Sequence, residues 1–134
     1  MDRAQAERMI MDIYAARKRG DPVGMTANFH DNATYRMNAG APMLTPSLKT
    51  RARRQELIDT FAAILNEYRY GDDWKVVRFM HDGDASLLIW HGTVTSNTTG
   101  KSRFFEVFVV VTYKDGKILS VTESTDTAAI LALS

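Results

Sequence analysis

Three side chains in this sequence are of the types that carry out acid–base chemistry on carbonyl compounds: Glu123, Tyr14 and Tyr35. A glutamate that lines an apolar pocket has a raised pKa, because burial disfavours its charged form, and it can then act as a general acid or base. Tyrosine hydroxyls can donate hydrogen bonds to a carbonyl oxygen or a developing enolate. We predict Glu123 as the catalytic carboxyl and the two tyrosines as donors. An alternative stays open, in which Glu123 is a partly solvated strand carboxylate and both tyrosines are core aromatics.

Other chemistries lack the residues that they need. The chain has no cysteine, which removes disulfides, thiolate nucleophiles and zinc–thiolate sites. The histidines and carboxylates do not have the spacing of a metal site, no glycine-rich loop indicates a nucleotide, and no serine stands in a nucleophile elbow. We therefore predict that the protein uses neither a cofactor nor a metal.

The composition is that of one globular domain over residues 1–134, with 45% hydrophobic and 25% charged residues. The net charge of +1 gives no electrostatic reason to expect nucleic acid or an anionic membrane as a partner. Charges are scattered through the first helix and no uninterrupted apolar core is found there. We expect neither a signal peptide nor a membrane anchor, and a cytoplasmic protein.

Helical patterns come first along the chain. Residues 2–19 have apolar side chains at helical spacing, and Gly20 is a plausible end. We assign Arg17, together with Lys18 and Arg19, to the negative end of the helix dipole. The next predicted elements are a second helix over 22–29, a short strand over 33–37, a loop over 38–50 that acts as a covering flap, and a third helix over 51–68.

The second half of the chain predicts a meander of four long strands. The pair Asp115-Gly116 between two apolar runs is the strongest turn signal. Asp126 should cap a short terminal helix. The predicted strands cover residues 75–81, 85–95, 101–114 and 118–125. Helices followed by antiparallel strands indicate an α+β fold, with the helices packed on one face of a strongly bent sheet.

Several local motifs resemble the nuclear transport factor 2-like superfamily, which includes ketosteroid isomerases, limonene epoxide hydrolases and SnoaL-like polyketide cyclases. The motifs are Tyr14 in IYAARKRGD, FHDNATY at 29–35, TGKS at 99–102, YKDGKI at 113–118 and STDTAAI at 124–130. The resemblance covers essentially the whole chain and is closest in style to the SnoaL-like and ketosteroid isomerase-like members. It implies a cone-like fold: N-terminal helices on a strongly curved, mixed but mainly antiparallel sheet, with a short C-terminal helix.

Residue-by-residue comparison with the ketosteroid isomerases retains little of their chemistry. Tyr14 matches the family's tyrosine. The catalytic base would fall at or next to Met37, and the protonated aspartic acid at about Val109. Neither side chain can transfer a proton, so the resemblance does not imply classical ketosteroid isomerisation.

Comparison with the limonene epoxide hydrolases is also incomplete. Tyr35 fits their tyrosine, and Glu123 falls where one aspartate would be. Trp90 and Gly92 occupy the arginine and second-aspartate places, and Met37 replaces the asparagine. The SnoaL-like cyclases remain, with an acidic general base in a deep apolar pocket.

If Val109 matches a pocket position, strand alternation divides the sheet into two faces. The pocket walls are then Trp90, Met37, Phe105, Val107, Val109 and Val111. Phe104, Glu106, Phe108 and His91 lie on the outer face, where exposed aromatics predict a homodimer formed sheet to sheet. A bulge near Gly92 would exchange the faces and bring His91 and Glu106 into the pocket, and the sequence leaves this open.

Two functions are compatible with these residues. The first is a cofactor-independent cyclase or isomerase that uses acid–base chemistry on a small apolar carbonyl compound. The second is a non-catalytic dimer whose pocket holds a small apolar molecule. The missing acids at Met37 and Val109 favour the second, whereas Tyr14, Tyr35 and Glu123 favour the first. The sequence does not name a substrate.

Overall fold

A computed structural model describes residues 1–37 and 51–134 of the chain. Within these ranges it contains four helices and six strands: α1 (Arg3–Arg19), α2 (Pro22–Met25), β1 (Phe29–Met37), α3 (Arg51–Glu67), β2 (Tyr68–Tyr70), β3 (Lys75–Asp82), β4 (Ala85–Ser96), β5 (Ser102–Lys114), β6 (Lys117–Ser124) and α4 (Thr127–Leu131). The predicted covering loop over 38–50 lies outside the described residues. No helix among those described is long and apolar enough to cross a membrane.

The strands form one mixed sheet in the order β1-β6-β5-β4-β2, and β3 also pairs with β4. Only the β1–β6 pair is parallel among the described strands. Register shifts interrupt β1, β3 and the β5–β6 pair, and such irregularities bend a sheet. The result is a curled half-barrel with a short C-terminal helix. The predicted α+β class and its curved sheet are confirmed.

Capping residues fix the helix ends; the sequence predicts the Gly20 stop and the Asp126 cap, whereas Asp2, which it places inside the first helix, is the N-cap of that helix. The Asp2 side chain accepts a hydrogen bond from the Gln5 amide, and Gly20 ends α1 in the left-handed conformation with φ of 70°. Asp126 accepts hydrogen bonds from the amides of Ala128 and Ala129, so it is the cap of α4.

The boundaries around β1 differ from the prediction. The second helix ends at Met25 instead of continuing to 29, and β1 begins at Phe29 instead of residue 33. Parallel pairing with β6 explains this, because Phe29 pairs with Ile118 while the polar residues that follow occupy a register shift. Tertiary pairing here overrides the turn preference of Asp31 and Asn32.

The core lies between the helices and the concave face of the sheet. Ile10 of α1 and Leu57 of α3 are almost fully buried, as are Leu88, Val109 and Ile118 of the sheet. Along β5 the buried and exposed residues alternate strictly from Phe105 to Val111. The helices therefore close over one face of the sheet, and this is the face that carries the cavity.

Candidate functional site

Two neighbouring cavities lie between the helices and the concave face. The inner one has a volume of about 50 Å³ and is bounded by α1. The outer one has a volume of about 460 Å³ and extends past α3 to α4. They share six lining residues: Tyr35, Met37, Ile64, Tyr70, Trp90 and Glu123. The structure therefore places the predicted carboxyl where the two cavities meet.

Glu123 lies on β6, between β1 and β5. Its register partner is Met37 on one side and Val109 on the other. These are the two positions at which the resemblance to ketosteroid isomerases would place acids. The three residues form one row across the sheet, so a carboxyl is present between the expected positions instead of at either of them.

Burial raises the pKa of the Glu123 carboxyl. Two interactions oppose that rise: the positive charge of Arg17 and the Tyr35 hydroxyl, which donates a hydrogen bond to Oε2 at 3.2 Å. Glu123 has no ion-pair partner within 4.0 Å in the part of the chain that the structure describes. A carboxyl with a raised pKa and no fixed cation is suited to take up and return a proton.

Tyr14 and Tyr35 approach the carboxyl from α1 and β1. Both are buried, at 8% and 5% exposure. Burial raises the pKa of each tyrosine well above its ordinary value of 10.0, and the negative charge of Glu123 raises it further. Both hydroxyls therefore stay protonated and can act as hydrogen-bond donors in the cavity.

The predicted wall residues lie on the cavity side of the sheet. Val109 and Val111 line the inner cavity, Phe105 and Val107 line the outer one, and Trp90 and Met37 line both. The β4–β5 register runs without a shift from Ala85 to Thr95, so no bulge at Gly92 exchanges the two faces.

His91 and Glu106 accordingly lie on the outer face. The His91 Nε2 atom is 2.5 Å from the Glu106 carboxylate, and Phe104 packs edge-on against the His91 ring at 5.4 Å. Neither His91 nor Glu106 lines a cavity described above.

Arg17 lines the inner cavity, although its position in the sequence assigned it to the helix end. Its guanidinium lies 3.6 Å above the centre of the Tyr70 ring and 4.7 Å from that of Tyr14. The rings of Trp74 and Trp90 are 5.2 and 5.1 Å away. The signal was present in the sequence, because Arg17 follows Ile10 and Tyr14 at the helical spacing of the buried stripe.

Tyr70 lines both cavities and is a site residue that the sequence patterns did not identify. Trp74, which they also did not identify, packs behind the cavity lining. The Trp74 ring packs on Tyr14 at 4.8 Å and on Trp90 at 6.3 Å. It also lies against Gly92, where an added Cβ would be 3.1 to 3.3 Å from Trp74 atoms. The absence of a side chain at Gly92 gives Trp74 this position.

Both indole nitrogens of this cluster are buried. Neither Nε1 of Trp74 nor Nε1 of Trp90 has a hydrogen-bond partner of standard geometry among the described residues. Trp90 is nevertheless close enough to the Tyr14 hydroxyl to lower the pKa of Tyr14 slightly. Buried donors without an acceptor are uncommon in proteins, and each one is explained by a water, a ligand or local strain.

A family model for the SnoaL-like domain matches residues 10–121. An NTF2-like protein from Burkholderia thailandensis is 26% identical, with a TM-score of 0.73 and coverage of 94% of both chains. An LEH-like epoxide hydrolase from M. tuberculosis is 17% identical, with a TM-score of 0.72 and coverage of 96% of this chain and 87% of that one. TerC co-crystallised with polyporic acid is 20% identical, with a TM-score of 0.75 and coverage of 96% and 97%. No curated protein matches the chain.

Proposed function

Because this chain belongs to the SnoaL-like domain family within the nuclear transport factor 2-like superfamily, we propose that it is a cofactor-independent isomerase or cyclase. Its substrate is a small apolar carbonyl compound, and its chemistry is acid–base. The observation that carries the proposal is the partly buried Glu123 carboxyl, which lies at the junction of two cavities and accepts a hydrogen bond from Tyr35.

Glu123 is the group that moves the proton. As a carboxylate it takes a proton from the carbon next to the carbonyl, so that the C–H electron pair forms an enolate and the proton resides on Glu123. In an isomerisation the proton then returns to another carbon. In a cyclisation the enolate carbon attacks an internal carbonyl carbon, the C=O π electrons move to its oxygen, and that alkoxide takes the proton back from Glu123. A raised pKa brings Glu123 closer in acidity to the C–H group that it deprotonates, and so assists proton transfer in both directions.

The tyrosines stabilise the charges on either side of this transfer. Tyr35 donates to Glu123 and holds its carboxylate in one orientation. Tyr14 is protonated and lines the inner cavity, so its hydroxyl is the donor proposed for the enolate oxygen. Phe105 and Val107 line the outer cavity and bind the apolar body of the substrate.

We propose that the functional unit of the protein is a homodimer. Phe104 is 61% exposed on the outer face of the sheet, and Phe108 and Val110 are 43% and 42% exposed. Together with the His91–Glu106 pair they form a mixed apolar and polar patch on which a second copy of the chain would pack.

A non-catalytic binding protein is the second candidate. The apolar residues on both sides of Glu123, Met37 and Val109, favour it, because they leave one carboxyl where the isomerases of this fold carry two acids. In this case the cavity binds its ligand without moving a proton.

Deuterium exchange into a range of ketones tests the proposal. A panel of cyclic and aryl ketones is incubated with the protein in D₂O, and loss of the α-proton signal is followed by NMR. We expect the wild type to accelerate exchange for some members, and Glu123→Gln to reduce that rate by about 10²- to 10⁴-fold. Glu56→Gln on the exposed face of α3 is the matched control. Binding without exchange would support the second candidate.

A further inference from the structure

We propose that the ligand of this site is an apolar monocarboxylic acid whose carboxylate binds the guanidinium of Arg17. The inference rests on the proposed function, because it names the substrate class for the same cavity. It is carried by hydrogen-bond donors that have no acceptor of standard geometry among the described residues, and by the sizes of the two cavities.

Arg17 presents the main group of donors. Its guanidinium stacks on the Tyr70 ring at 3.6 Å and is close enough to the Tyr70 hydroxyl to oppose the rise in pKa that burial gives that tyrosine. It makes neither an ion pair nor a hydrogen bond of standard geometry with any described residue. Aromatic faces position a guanidinium through its plane and leave the N–H groups at its edges free. The group that best matches such an edge is a carboxylate, which accepts two parallel hydrogen bonds.

Trp90 adds one more donor beside the same cation, and it lines both cavities. Its Nε1 is buried, lies close to the Tyr14 hydroxyl and lacks an acceptor of standard geometry within the described part of the chain. The Trp90 ring lies 5.1 Å from the guanidinium of Arg17, and Trp90 as a whole is only 4% exposed. An excess of donors over acceptors selects a ligand group that only accepts, which favours a carboxylate over a hydroxyl or an ammonium.

The cavity volumes separate the charged and apolar parts of this ligand. About 50 Å³ next to Arg17 accommodates a small polar group, since a water molecule in the liquid occupies about 30 Å³. The outer cavity of about 460 Å³, lined by Phe105, Val107 and Ile130, accommodates a hydrocarbon or aromatic body. A carboxylate at Arg17 then extends its apolar chain past Glu123.

Negative charge elsewhere limits the ligand to one carboxylate. Glu123 lines both cavities, and Asp59, an exposed residue of α3, lines the outer one. The cation Arg17 lines the inner cavity and not the outer one. The tyrosines that face the site are protonated. A second anionic group in the outer cavity would be repelled by these carboxylates, whereas an apolar body is not.

Binding of 4-cyclohexylbutyrate is compared with binding of its neutral amide by calorimetry. Trp90 lines both cavities, so a change in intrinsic tryptophan fluorescence on binding reports that the probe enters this site. We expect the wild type to bind the acid at least about tenfold more tightly than the amide. Equal affinities for the two probes, or no binding of either at millimolar concentration, would overturn the inference.

Three variants test the role of Arg17. Arg17→Met should abolish the preference for the acid, whereas Lys18→Met, an exposed neighbour on the same helix, should retain it. If Arg17→Met does not fold, Arg17→Lys takes its place. It keeps the charge but loses the planar fork, so the preference should fall about threefold or more. A preference that remains unchanged in the folded Arg17 variant contradicts the proposal.

The binding measurement and the exchange measurement fail independently. A preference for the acid that depends on Arg17, in a protein that exchanges no ketone proton, would leave the ligand class standing and remove the catalytic proposal. Ketone exchange that depends on Glu123, with equal affinity for the acid and the amide, would support the catalytic proposal and remove the proposed ligand class.

Discussion

The hydroxyl of Tyr35 and the carboxylate of Glu123 are joined by a hydrogen bond of 3.2 Å between the neighbouring parallel strands β1 and β6. Burial of Glu123 raises its pKa, and this hydrogen bond favours the charged form and lowers it again. The protonation state of the proposed catalytic group is therefore set partly by a hydroxyl on another strand.

Replacing Tyr35 by phenylalanine should raise the pKa of Glu123 further. The acid limb of kcat/KM would then move to higher pH, which a pH profile of the exchange reaction measures. Tyr113→Phe removes a hydroxyl that bonds to Ser86 at 2.7 Å and does not line either cavity. In Tyr113→Phe the acid limb of the pH profile should stay at the wild-type pH. If it also stays there in Tyr35→Phe, Tyr35 does not set the pKa of Glu123.

The raised pKa of Glu123 also makes stability depend on pH. Its pKa lies above the ordinary value of 4.5, so the folded state binds this proton more tightly than the unfolded state. That contribution to stability is fully present below about pH 4.5 and is lost as the pH rises through the folded-state pKa.

Glu123→Gln, which cannot ionise, should therefore gain stability relative to the wild type as the pH rises from 4 to 8. Urea denaturation at several pH values measures this difference. Glu56→Gln, with its side chain 55% exposed, should show no such trend, and a wild type that gains stability relative to Glu123→Gln over this range would refute the prediction.

Tyr14→Phe tests the proposed enolate donor. The ring that packs on Trp74 at 4.8 Å is kept and only the hydroxyl is lost. Removing one donor of an oxyanion site reduces kcat by about 10²- to 10³-fold, and KM should change little because the interaction forms in the transition state. A change confined to KM would assign Tyr14 to ground-state binding instead.

The architecture could be predicted from the sequence because its signals are local. The Asp115-Gly116 turn, the Gly20 stop, the Asp126 cap and the alternation along β5 each depend on neighbouring residues alone. The same alternation separates Phe105 and Val107 from Phe104 and Phe108 once one position is assigned to a face.

The long-range features could not be predicted in this way. The first residues of β1 are strand because they pair with β6, nearly ninety positions away. The short strand β2 exists because Tyr68–Tyr70 pairs with the end of β4. Helical spacing places Arg17 on the buried stripe, but the four aromatic rings around its guanidinium come from three parts of the chain, and this arrangement depends on the tertiary fold.

Phe108→Glu tests the proposed dimer. A charge on the outer face should be buried unfavourably against the second copy and shift the protein to monomer in sedimentation velocity. Val23→Glu places the same charge at a residue that is 61% exposed on α2 and should leave the dimer intact. A monomeric wild type, or an unchanged dimer in Phe108→Glu, contradicts the sheet-to-sheet arrangement.

Asp126→Ala tests the contribution of α4 to the outer cavity. Loss of this cap should destabilise the helix by about 1 kcal/mol and accelerate amide hydrogen exchange over Thr127–Leu131. Ile130 and Leu133 line the outer cavity, so affinity for the apolar probes should also fall. Asp2→Ala removes the equivalent cap of α1 and should leave exchange in α4 unchanged.

The contact between Gly92 and Trp74 restricts how this sequence can change. A methyl group at position 92 already meets the Trp74 backbone and ring at 3.1 to 3.3 Å, and a larger side chain would need the space that Trp74 occupies. An aspartate at this place, which the resemblance to the limonene epoxide hydrolases would call for, therefore requires Trp74 to shift or to be replaced. Positions 74 and 92 should covary among homologues, with glycine favoured at 92 where tryptophan stands at 74.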